Sequence, residues 1–121
     1  MIGSVIQSLL INNKITPSEI RDLYSKSTDE YERKILSMTN RIAERYSLTY
    51  GDDYEVAKKD GQLVISFYKY YNYFDDDGVV RLFVTHSANI NEYTITLDDG
   101  NSLIYINPIF VEKTLVEFYE N

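Results

Sequence analysis

The sequence predicts an α+β fold: two or three N-terminal helices, an antiparallel β-meander of about five strands, and a C-terminal helix. Three observations predict it. Apolar residues follow a helical period up to about residue 47 and a period of two after Gly51. Asp-Gly steps at 60–61, 77–78 and 99–100 punctuate the second part, as hairpin turns with positive φ require. Asn107 followed by Pro108 then reopens a helical pattern, as an N-cap and first helical residue do.

Each element has its own signature. Ile2, Val5, Ile6, Leu9 and Leu10 form one apolar helical stripe, ended by Asn12-Asn13-Lys14. Thr16, Pro17 and Glu19 form a capping box, with Ile15 and Ile20 placed as a hydrophobic staple, and open a short helix that presents Ile20, Leu23 and Tyr24. A second capping box, Ser27 with Glu30, opens a helix to about Ser47. Its apolar side is Tyr31, Ile35, Met38, Ile42 and Tyr46, widened by Leu36 and Ala43. Strands are expected near 54–59, 62–74, 79–87, 92–98 and 101–106, with sequence neighbours adjacent in the sheet. The last helix carries Val111, Leu115 and Phe118 on one face. No linker, repeat or low-complexity tract interrupts the chain, so residues 1–121 are expected to form a single domain.

Composition narrows the classes of function. With 44% hydrophobic and 26% charged residues, the 121-residue chain is typical of a globular protein. It has no cysteine, which excludes disulfides, thiolate catalysis and cysteine-ligated metal, and a cytoplasmic setting is expected (the host cytoplasm for a viral protein). The opening MIGSVIQSLLINNK lacks the basic start and long apolar run of a secretory signal, and no window approaches a membrane span. Tyrosine occurs 12 times, isoleucine 13, asparagine 9 and alanine only 3, the bias of an AT-rich genome such as those of many phages and mobile elements. The net charge of −7 is uneven. Residues 1–50 hold 7 basic and 6 acidic side chains, whereas residues 51–121 hold 5 basic and 13 acidic. The acidic half favours a partner with a basic surface.

The candidate sites are weighed in turn. Asp75-Asp76-Asp77-Gly78 and Asp98-Asp99-Gly100-Asn101 resemble calcium loops, but neither supplies the spaced glutamate, so both read as turns and no metal or other cofactor is expected. His86, the only histidine, reads as a strand-end residue near solvent; Ser87 beside it points to the opposite face, and no nucleophile elbow surrounds either. Glu55, Glu92 and Asp98 are the acids that could serve a carboxylate-pair hydrolase, although nothing in the sequence pairs them. Lys34, Arg41 and Arg45 form a basic stripe on the long helix, diluted by Glu30 and Glu44, so direct nucleic-acid binding is not expected. The acids sit too much in turns for the dense rows of a nucleic-acid mimic.

The segment Phe67-Tyr68-Lys69-Tyr70-Tyr71-Asn72-Tyr73-Phe74 is aromatic on both faces of its strand. Two explanations compete. Helices, or the twist of the strand, cover both faces; or one tyrosine-rich face is a contact surface with the adjoining aspartates as its rim. The expectation is therefore a non-enzymatic protein-binding protein, such as an inhibitor, immunity or accessory factor of a phage or mobile element. Its protein-binding surface would be Tyr68, Tyr70, Tyr71, Tyr73, Asp75, Asp76 and Asp77. The alternatives are a structural or assembly component of virion type, with a homodimer left open, and a small enzyme using carboxylates or His86.

Overall fold

The computed structural model describes residues 4–73 and 76–121. The chain runs α1 (Ser4–Asn12), α2 (Pro17–Lys26), α3 (Glu30–Arg45), β1 (Tyr54–Lys59), β2 (Gln62–Tyr73), β3 (Asp76–Ser87), β4 (Tyr93–Leu97), β5 (Ser102–Tyr105) and α4 (Pro108–Glu120). The strands form one antiparallel meander in the order β1-β2-β3-β4-β5. The fold is α+β.

The helix starts follow local chemistry. Thr16 Oγ1 accepts from the Glu19 N–H at 3.1 Å, and Glu19 Oε1 accepts from the Thr16 N–H at 3.0 Å, with Pro17 leading α2. Asn107 Oδ1 accepts from the Ile109 N–H at 3.0 Å and opens α4. The start of α3 differs from expectation. Its N-cap is Asp29, whose Oδ1 accepts from the Glu32 N–H at 3.1 Å. Ser27 instead closes α2, and its hydroxyl accepts from the Asp29 N–H at 3.2 Å. An ionised carboxylate complements the positive helix end better than a hydroxyl does.

The turns are also more varied than three Asp-Gly steps suggest. At Asp60-Gly61 both φ angles are positive, 50° and 81°, so the β1–β2 turn is type I′. Between β4 and β5 only Gly100 is left-handed, with φ 90°, after a turn closed by its N–H on the Leu97 carbonyl at 2.9 Å. Asp77-Gly78 is no turn at all. These residues lie inside β3, opposite Asn72 and Tyr71, and residues 74–75 fall outside the described residues. Gly78 serves the ring of Tyr71 across the ladder: a Cβ on it would stand 2.1 Å from Tyr71 Cζ. A glycine here makes room, and makes no bend.

Helices cover both faces of the sheet. On one face Ile35, Leu36, Met38 and Ile42 of α3 and Val111 and Leu115 of α4 pack on Val56, Leu63, Ile65, Phe67, Leu82, Val84, Tyr93 and Ile95. On the other, Leu9 and Leu10 of α1 cover Ala57, Val64 and Phe83. One charged pair enters the first layer: Glu32 of α3 is buried and meets Lys58 of β1. Removing Lys58 would strand the buried Glu32 charge.

The two margins of the sheet are treated differently. Along β1, the Val56 carbonyl accepts from the Ile15 N–H at 2.9 Å, and the Lys58 N–H donates to the Asn13 carbonyl at 3.1 Å. The Val56 N–H donates to the Tyr50 hydroxyl at 3.2 Å, and the Tyr54 carbonyl accepts from the Gly51 N–H at 2.8 Å. The chain between α1 and α2, together with Tyr50 and Gly51 ahead of β1, thus closes this margin. Nothing among the described residues pairs with the far side of β5.

Phe67 and Tyr71 occupy the same face of β2, yet only Phe67 is wholly buried. Phe67→Ala is expected to lower unfolding stability by about 3–5 kcal/mol and Tyr71→Ala by less than about 1 kcal/mol. Urea denaturation of the two variants measures both.

Candidate functional site

β2 and β3 are longer than their neighbours. β1 pairs with β2 only as far as Phe67, and β4 pairs with β3 only as far as Leu82. Beyond them six further pairs, from Tyr68↔Arg81 to Tyr73↔Asp76, continue as a two-stranded arm. Its root is tied on both sides. Lys69 Nζ donates to the Phe118 carbonyl near the end of α4 at 2.9 Å, and the Tyr119 hydroxyl donates to the Tyr68 carbonyl at 3.1 Å. The Tyr68 N–H donates to the Asp53 carbonyl at 2.9 Å, and the Tyr70 hydroxyl donates to the Asp52 carbonyl.

Farther out, no helix among the described residues covers the arm. Tyr70 is 61% exposed and Tyr71 46%, on opposite faces, and Val79 and Val80, the strand partners of Tyr70 and Lys69, are exposed as well. The aromatic strand is therefore core at Phe67, half-buried at Tyr68 and open at Tyr70, Tyr71 and Asn72. Helix cover thus accounts for the root of the aromatic strand and ends before Tyr70. Tyr73 and Asp76 are the last described pair of the arm, and Asp75 lies outside the described residues. Asp77 is exposed and accepts from Asn72 Nδ2 at 2.6 Å.

Antiparallel topology gathers acids at the arm's end of the sheet. Asp52 and Asp53 precede β1, Asp98 and Asp99 follow β4, and Asp77 stands on the arm. Asp98 is committed locally, accepting from Arg81 through its N–H at 3.0 Å and its Nε at 2.9 Å. The excess negative charge of residues 51–121 is thus partly concentrated at one end.

The remaining candidates go elsewhere. Lys34 pairs with Glu30 at 3.1 Å, Arg41 with Glu112 at 2.8 Å and Arg45 with Glu120 at 2.9 Å. Arg41 holds the Glu112 carboxyl below its ordinary value, against the opposing effect of burial. The basic stripe therefore helps to join α3 to α4 rather than facing outward as three free cations. Glu55 is buried, with Oε2 2.5 Å from Lys14 Nζ. It lines a cleft of about 280 Å³ beneath α1 with Gln7, Lys14, Tyr68 and Arg81. A second cleft of about 180 Å³ touches His86. Neither holds two of Glu55, Glu92, Asp98 and His86, and Glu92 and Asp98 flank β4 instead of lying in strands. Among the described residues, no group of three His, Asp or Glu side chains could hold a metal ion, and no helix is long and apolar enough to cross a membrane.

His86 is not near solvent. It is 3% exposed, stacked on Tyr31 at 5.9 Å and tilted against Tyr93 at 5.5 Å. Nε2 lies 2.9 Å from Asp29 Oδ2, and Nδ1 lies 3.1 Å from the Glu92 carbonyl. Each ring nitrogen thus lies within hydrogen-bonding distance of a protein oxygen. The sequence offered no sign of this, because Asp29 and His86 are 57 residues apart. The reading also missed Ile104, Ile106, Ile109 and Phe110, all exposed at the β5 margin and the start of α4. Their signal was the absence of any charged residue from Asn101 to Val111.

No family model matches the chain, and neither does any curated protein or solved structure.

Burial pushes the Asp29 carboxyl up, but the hydrogen bonds from His86 and from the Glu32 and Tyr31 backbone outweigh it and leave the group below its usual 3.8. A depressed folded value means stability that is present above the unfolded value and lost as pH falls through the folded one. Asp29→Asn should therefore be less stable than wild type near neutral pH, with the gap narrowing below about pH 4. Thermal unfolding between about pH 2.5 and pH 7 measures it.

Proposed function

We propose that this protein acts by binding another protein through the β2–β3 arm. The reading rests on one observation: the hairpin runs six pairs past both neighbouring strands and exposes Tyr70, Tyr71, Val79 and Val80 at an end bordered by aspartates. Tyrosine offers large, rigid, amphipathic contact area at little entropic cost, so its exposure on a tethered arm suits recognition. The aspartates favour a basic partner surface and steer its approach. Catalysis forms no part of the proposal, because Glu55 and Asp98 are committed to Lys14 and Arg81 and both His86 nitrogens are engaged. An inhibitory, immunity or accessory role in the cytoplasm of a bacterial host fits an acidic, cysteine-free chain of this composition.

The test is quantitative affinity capture from the native host. Wild type is compared with a Tyr70→Ala/Val79→Ala double variant, with Asp77→Lys, and with Lys34→Ala as a control far from the arm. A stoichiometric partner should fall at least about tenfold with the arm variants, since truncating an interface anchor costs on the order of 1–2 kcal/mol, and should be retained by the control. Equal capture by folded arm variants, or no stoichiometric partner at all, would count against the arm.

A further inference from the structure

We propose that a second copy of this chain pairs with the open margin of β5, so that two five-stranded sheets join into one of ten strands. This surface is separate from the arm, and either assignment can fail without the other.

The backbone is prepared for such pairing. The Leu97 N–H bonds to the Asn101 carbonyl at 2.9 Å, and Leu97 would stand opposite Asn101 in the β4–β5 register. Bonded pairs alternate along an antiparallel ladder, so Leu103 and Tyr105 face β4 while the N–H and C=O groups of Ser102 and Ile104 face outward. Edge strands of this kind are ordinarily blunted by lysine, proline, a bulge or covering chain. The β1 margin is treated that way, by the Asn13–Ile15 backbone and by Tyr50. The β5 margin carries Ser102-Leu103-Ile104-Tyr105-Ile106, with neither charge nor cover.

The side chains specify what fits there. Ile104 is 61% exposed and Ile106 69%, and Leu103, Ile109 and Phe110 are each about half exposed. Together these five leave on the order of 500 Å² of apolar surface open, near the upper size for an unpartnered patch. Two copies meeting there would remove on the order of 1,000 Å², the size at which a specific interface is sustained. Charge leaves this margin open to a like partner. Two molecules of net charge −7 repel over most of their surface and approach best where charge is missing, which from Asn101 to Val111 it is.

A two-fold axis at Ile104 satisfies these constraints. Ile104 of one copy then exchanges both backbone bonds with Ile104 of the other, and Ser102 faces Ile106 at each end. Leu103 of each copy lies beside Tyr105 of the other on the α4 side, next to Phe110 (already 6.1 Å from Tyr105, ring to ring).

Light scattering during size exclusion, at about 1–200 µM, should give twice the 14.2 kDa of one chain as concentration rises. Ile104→Lys sets two like charges opposite each other and should return a folded monomer by circular dichroism. Ile106→Lys, beyond the ladder, should do the same and stands in if the first variant does not fold. The cysteine-free chain allows a sharper reading. Ile104→Cys should form a disulfide-linked dimer on mild oxidation, since opposed residues in a bonded pair lie about 5.5 Å apart at Cα. Ile106→Cys should not, because its two copies would lie on the order of 13 Å apart. The Tyr70→Ala/Val79→Ala variant should remain dimeric. A wild type that stays monomeric throughout, a dimer that survives both lysine variants, or equal cross-linking of both cysteine variants would overturn the proposal.

Discussion

Everything in this architecture depends on covering a sheet whose central strands are apolar on both faces. Ile65, Phe67, Leu82 and Val84 need α3 and α4, while Ala57, Val64 and Phe83 need α1. Burying a side chain such as Phe67 contributes on the order of 2–3 kcal/mol, so both layers are obligatory for a chain of this size. The helices cover less than the strands expose. α1 has 9 residues and α4 has 13, whereas β2 and β3 have 12 each at more than twice the rise per residue. Strand length outruns helix length, and the uncovered remainder is the arm at one end and β5 at one side.

The polar interior shows how the layers are keyed together. Asp29 holds the first turn of α3 through Glu32 and the end of β3 through His86. Glu32, one turn into the same helix, reaches Lys58 on β1. Two acids of one helix start therefore fix its orientation across three strands, a directional constraint that apolar contact alone does not impose.

Local signals were legible wherever backbone chemistry decides the outcome. Thr16-Pro17-Glu19, Asp60-Gly61 and Asn107-Pro108 each act within a few residues, and each stands where it was expected. Strand order followed from connection length. Errors arose where tertiary partners compete. Asp29 displaced Ser27 as a cap, helped by a histidine from a distant strand. Gly78 resembled a turn residue because the need for space beneath Tyr71 leaves no trace in local sequence. Tyr70 and Tyr71 were picked out by their two-sided aromatic pattern, but that pattern could not say where coverage stops. Ile104 and Ile106 escaped notice because an apolar run in a strand reads as core until the cover on it is known.

The covered β1 strand has a consequence of its own. Bare strands on both flanks would let molecules add to each other without limit, the route by which β-proteins harden into fibrils. Here the Asn13–Ile15 backbone occupies the β1 flank, so among the described residues the five-stranded body of the sheet can be widened only beyond β5. Three residues of connecting chain thus keep the broad part of the sheet from growing in both directions.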